Sequence, residues 1–161
     1  MPTNEAEHRY EVAGRAVKIL FWIEKDEDGY PPYEIESLWA HEVGENEYQL
    51  RNIPFFAQDV SCGDIVEASP LHGALYFERT ARPSGHSTVR LVAFAGEDVS
   101  ALRAALTRLG CSSERSMVPS LIAVDIPPEV DYERVQDFLG QGEQQERWEY
   151  EESCLRHPLE G

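Results

Sequence analysis

Residues 16–23, Ala16-Val17-Lys18-Ile19-Leu20-Phe21-Trp22-Ile23, form the first sustained apolar run of the chain. β-Branched and aromatic side chains dominate it, which predicts a strand. The charged stretch Lys25-Asp26-Glu27-Asp28-Gly29-Tyr30-Pro31-Pro32 follows, and its proline pair cannot continue a ladder. Residues 36–43 have an apolar centre with polar flanks, and Gly44-Glu45-Asn46-Glu47 turns them into residues 48–53 as a hairpin. Two more strand-like runs, 64–68 and 73–80, complete a half without helical period. Short strands at close spacing predict a small β-barrel or a strongly curved sheet.

The period changes after Arg82-Pro83-Ser84-Gly85. Residues 88–94 predict a strand. Val99, Leu102, Leu106 and Leu109 then recur at helical spacing, which predicts a helix over 97–109 with Glu97 and Asp98 in its first turn and Gly110 closing it. Strands are expected over 111–118 and 121–126, about a Pro119-Ser120 turn. Asp131 can cap a second helix that buries Val135, Phe138 and Leu139 and ends at Gly140. A last strand over 147–155 alternates on Trp148 and Tyr150. Strand, helix, strand, strand, helix, strand is the ferredoxin-like βαββαβ order. The expected class is α+β: a flexible arm over 1–14, a β-rich half over 15–82, a ferredoxin-like half over 84–156, and a tail over 157–161.

Charge narrows the partners. The chain has 14 Lys and Arg against 30 Asp and Glu, and a net charge of −16 repels nucleic-acid phosphates and anionic lipid. Direct nucleic-acid binding is therefore disfavoured, whereas a basic protein is a suitable partner. Residues 1–10 are polar and charged, unlike a signal peptide or an anchor, and no apolar run is long enough to span a bilayer. The three cysteines, Cys62, Cys111 and Cys154, form no CxxC pair and read as reduced thiols of a cytoplasmic protein.

Candidate chemistry is sparse. Ser84-Gly85-His86-Ser87-Thr88-Val89-Arg90 is the densest polar cluster, with backbone donors and a cation for an anionic group. A cleft at the junction of the halves would be lined by His86, Arg90, Ser87, Cys62 and Asp64. The plainer reading is an interdomain turn, with Thr88 and Arg90 on the solvent face of a strand. Cys62 is a nucleophile only if His41 or His86 meets it, and the surrounding acidity disfavours the thiolate. His8, His41, His72, His86 and His157 lack metal-ligand spacing, and neither a metal nor a cofactor is expected. Most aromatics, Trp39 and Phe55 among them, read as core. Tyr30 and Tyr33, with Glu34 and Glu36, are candidate anchors for a partner. Acids gather towards both ends, at 24–36 and 143–152.

The motifs Glu36-Ser37-Leu38-Trp39-Ala40, Asn52-Ile53-Pro54-Phe55-Phe56, Gly63-Asp64-Ile65-Val66 and Gly85-His86-Ser87-Thr88-Val89-Arg90 resemble those of a bacterial family known only as a domain of unknown function. The likeness runs from about residue 15 to 155 and implies a bacterial origin and a single integrated unit. It implies no activity, cofactor or catalytic residue. With no assembled catalytic motif, the expected function is a non-enzymatic acidic protein that binds or regulates a basic macromolecule, such as an immunity protein or a nuclease regulator. The alternative is a small-ligand sensor or enzyme that uses the junction cleft.

Overall fold

The computed structural model describes residues 14–158. The arm expected over 1–14, apart from Gly14, and the last three residues of the tail lie outside the described residues. Two compact units divide the chain. One comprises the residues up to 52 together with 62–84; the other comprises 53–61 together with the residues from 85 onward.

The first unit holds β1 (Ala16–Trp22), β2 (Ile35–Gly44), β3 (Glu47–Leu50), β4 (Ile65–Leu71) and β5 (Ala74–Arg82). Neighbouring strands pair antiparallel from β1 to β5. A short parallel pairing of β1 with β5, Ile19↔Leu75 and Leu20↔Tyr76, closes the sheet on itself. Bulges at Val43 on β2 and at Glu78 and Ala81 on β5 supply the curvature that closure needs. The β4–β5 turn places both His72 and Gly73 at positive φ, 49° and 81°, as a two-residue hairpin turn demands. Alternation along β1 sends Ile19 and Phe21 into the interior, where Phe21 stacks on Phe77 with ring centroids 4.7 Å apart.

The second unit holds β6 (Ser87–Ala93), α1 (Val99–Arg108), β7 (Ser112–Arg115), β8 (Leu121–Ile126), α2 (Tyr132–Gln144) and β9 (Trp148–Cys154). Its sheet runs β7-β8-β6-β9 with every neighbouring pair antiparallel. Asp98 caps α1 by accepting from the Ala101 amide at 3.0 Å, so Glu97 and Asp98 precede the helix instead of filling its first turn. Asp131 caps α2 through the Glu133 amide at 3.1 Å. Strand β7 is shorter than expected. Ser116 Oγ donates to the Val118 carbonyl at 2.8 Å and accepts from the Val118 amide, which turns the chain locally.

Three expectations are corrected by packing. Helix α2 does not end at Gly140 but runs on to Gln144. The fully buried indole of Trp148 lies against Gly142, and its Nε1 donates to the Leu139 carbonyl at 2.9 Å. Thr88 and Arg90 are buried, not on a solvent face. Val89, Leu91 and Ala93 of β6 join the core with Leu102, Leu106, Val135 and Leu139 from the two helices. Segment 53–61 lies over the opposite face, burying Ile53, Ala57, Val60 and Ser61 there. Phe55 is half-buried within that cover and is not a core residue.

A Cβ built on Gly142 would meet Trp148 Cζ2 at 1.8 Å, whereas one on Gly140 meets nothing within 4 Å. Gly142→Ala is therefore expected to cost roughly 1–3 kcal/mol of stability by overpacking. Gly140→Ala in the same helix should gain roughly 0.4–1 kcal/mol. Urea unfolding of both variants checks the pair, and equal effects would contradict this packing.

Candidate functional site

The second unit concentrates buried polar side chains where β6 begins. His86 Nδ1–H donates to the Asp125 carboxylate, with the two oxygens at 2.9 and 3.0 Å. Asp125 occupies the otherwise apolar strand β8. Burial pushes its carboxyl above the ordinary aspartate value, and His86 opposes that shift without cancelling it. Next along β6, the His157 Nε2–H donates to the Pro127 carbonyl at 2.8 Å. That fixes Nδ1 as an acceptor, and Ser87 Oγ donates to it at 2.6 Å. Ser87 Oγ in turn accepts from the Arg156 and His157 amides at 2.8 and 3.2 Å. Tyr132 stacks on the imidazole with ring centroids 5.1 Å apart.

A serine hydrogen-bonded to a histidine suggests a nucleophile and its base. The surroundings argue otherwise. Ser87 is wholly buried and its oxygen is engaged by two backbone amides, so no reacting carbonyl can reach it. The hydroxyl acts as a latch that fastens residues 156–157 to the start of β6. His157, expected in the tail, is buried and in this respect structural.

The other polar groups of β6 bind segment 53–61 and β9. Thr88 Oγ1 lies 2.6 Å from Ser61 Oγ, and Ser153 Oγ donates to the Thr88 carbonyl. Arg90 Nη1 donates to the Phe55 carbonyl at 2.6 Å, and Nη2 lies 2.5 Å from the Glu151 carboxylate. His86, Ser87 and Arg90 thus each engage their own partners. Cys62 and Asp64 belong to the first unit. There the buried Asp64 carboxylate accepts from the Ser84 amide at 2.8 Å, and Ser84 Oγ donates to the Cys62 carbonyl at 2.9 Å. Cys111 and Cys154 are buried, and burial raises the Cys111 thiol to about 11. No group of three or more His, Cys, Asp or Glu side chains among the described residues is placed to hold a metal ion. No helix among them is long and apolar enough to cross a membrane.

Large aromatics lie on the surface. Trp39 is 48% exposed, which corrects its assignment to the core. Trp22 is 63% exposed and stacks on Tyr76, centroids 5.4 Å apart. Tyr30 and Tyr33 are exposed at 51% and 43%, beside an exposed Glu34 that pairs with Lys25 and a half-buried Glu36. Glu24, Asp26, Glu27 and Asp28 are exposed as well. In the second unit a shallow recess of about 660 Å³ is lined by Phe94, Tyr150 and the carboxylates of Glu143, Glu146 and Glu149, with Trp148 also at its wall.

Sequence reasoning passed over Asp125, His157, Trp22 and the recess. A carboxylate amid the apolar run of residues 121–126 was a signal for the first. The alternation of Lys18, Leu20 and Trp22 against Ile19 and Phe21 was a signal for Trp22. Nothing local marks His157, which meets Ser87 across 70 residues of chain.

The chain belongs to the family described as a domain of unknown function (DUF4265), which matches residues 36–150. None of the curated proteins matches it. Its fold is similar to the structure titled as a hypothetical protein from Neisseria gonorrhoeae, at 19% identity and a TM-score of 0.73. That match covers 89% of this chain and 98% of the other. The likeness is one of fold alone.

Two expectations follow. Ser87→Ala and His157→Ala should each cost roughly 1–3 kcal/mol, and the double variant should cost less than their sum, because the two share the Ser87–His157 hydrogen bond. Denaturant unfolding of the cycle measures this, and additive losses would deny the latch. A thiol reagent at neutral pH should modify Cys62 well before Cys111 and Cys154, with all three reacting only in denaturant. Rapid native modification of Cys111 would contradict its burial.

Proposed function

We propose that this member of the DUF4265 family is a non-enzymatic binding protein whose acidic, aromatic-bearing surface engages a basic macromolecular partner. The observation that carries the reading is the exposure of Trp22 and Trp39 on a strand pair that leads into the exposed acids of residues 24–28. Indole rings in water beside exposed carboxylates match the composition of a contact surface for cationic side chains. The three-glutamate recess with Phe94 and Tyr150 repeats that chemistry in the second unit. Opposite charge adds association rate and excludes acidic competitors, nucleic acid included. A basic protein that itself holds nucleic acid, such as a nuclease, suits this surface, and the role would then be immunity or regulation.

Two finer points accompany the reading. The second unit is of the ferredoxin-like type, supported by its strand and helix order and by the all-antiparallel sheet β7-β8-β6-β9. The protein works in the cytoplasm, supported by three free cysteines.

The test is binding of a lysine- and arginine-rich peptide to the full chain at several salt concentrations, read by tryptophan fluorescence. Saturable quenching that weakens steeply with salt is expected, with none from an acidic peptide of equal length. Neutralising two exposed acids together, Glu27→Gln with Asp28→Asn, should weaken binding about two- to ten-fold. Absence of binding at low salt, or binding indifferent to salt, would overturn the proposal.

A further inference from the structure

We infer that the outer face of β1, β2 and β5 is an arginine-stacking surface, with the Trp22–Tyr76 pair and Trp39 as two guanidinium platforms for a segment of a partner protein. This rests on the acidic-binding reading above and assigns its contact residues. The register places Trp39 opposite Lys18, Ser37 opposite Leu20, and Tyr76 beside Leu20. Trp39, Lys18, Leu20, Tyr76 and Trp22 therefore share one face of the closed sheet, the face opposite Ile19 and Phe21. Trp22 and Tyr76 are stacked within 16° of parallel, so Tyr76 supports the indole, and Trp22 is still 63% exposed. Trp22 lies four residues along β1 from Lys18, so the two platforms are roughly 13 Å apart.

Three observations identify the occupant. A second copy of the chain is disfavoured, since it would set acid against acid at a net charge of −16. The exposed acids after Trp22 favour a cationic occupant, although Asp26 is engaged by the Asp28 and Tyr30 amides and Glu34 by Lys25. The chain also uses cation stacking on its own indoles: the Arg147 guanidinium lies 4.7 Å above Trp148, and Lys18 Nζ lies 5.2 Å above Trp39, so a guanidinium arriving at Trp39 takes the place of Lys18. Arginine suits the exposed platform better than lysine. Its planar, weakly hydrated guanidinium lies flat on an indole, while an ammonium keeps its water. Main-chain pairing is not the route here, because closure of the sheet leaves β1 with a neighbour on each side.

The experiment compares oligo-arginine and oligo-lysine peptides of equal length on the full chain at one fixed salt concentration, by calorimetry. Oligo-arginine should bind about two- to five-fold more tightly. Trp22→Leu and Trp39→Leu should each weaken oligo-arginine binding by about the same factor and diminish the preference, while Trp22→Phe, which keeps an aromatic face, retains most of it. Far-ultraviolet circular dichroism establishes that the variants remain folded, as substitutions at exposed positions should be. Equal binding of the two peptides, or unchanged affinity in both leucine variants, overturns the arginine surface and leaves the acidic-binding reading standing. Failure of both peptides to bind overturns both.

Discussion

Burying the guanidinium of Arg90 removes it from water, and only well-placed acceptors compensate for that loss. Its acceptors are the Phe55 carbonyl and the Glu151 carboxylate, one from segment 53–61 and one from β9. The second unit is organised around this requirement. Ser61 against Thr88 and the Asp59 amide on the Ser153 carbonyl hold the same segment over the same face. The sheet is consequently covered on both sides, by helices on one and by an irregular strap on the other. A strap exposes more backbone polar groups than a helix does, which is why its carbonyls are spent on Arg90, Thr88 and Arg156.

Much of the fold was legible because period and punctuation agree. Ile19 and Phe21 alternate with less buried neighbours, Val99 to Leu109 keeps helical spacing, and Asp131 caps where a cap is needed. The misreadings have a common cause. Trp39, Thr88 and Arg90 were placed by residue type, but their positions are set by what lies across the sheet from them. The strap comes from residues 53–61 and the latch from His157, both distant in sequence from β6. Gly140 was taken for a helix end because glycine often is one. The glycine that matters is Gly142, two residues on, where an indole needs the space of a missing side chain.

Of the candidate site, Tyr30, Tyr33, Glu34 and Glu36 read in the sequence as anchors for a partner; the first three are exposed and Glu36 is half-buried. It gave the polar cluster at 84–90 as chemistry, which the structure turns into fastening. His86, Ser87 and Arg90 are each consumed by a specific structural partner. Carboxylates and the indoles of Trp22 and Trp39 are among the groups that do face water.

Segment 53–61 also matters while the chain is being made. It leaves the ribosome with the first unit but has its partners in residues 88–156, so Ile53 and Val60 must wait for a sheet that does not yet exist. Ser153, which receives the Asp59 amide, follows it only after a delay on the order of ten seconds at ordinary translation speed. For that interval an apolar stretch, Ile53-Pro54-Phe55-Phe56-Ala57, stands uncovered on the nascent chain. The heavy negative charge of the chain then acts before folding is complete, because it keeps one unfinished chain away from the next.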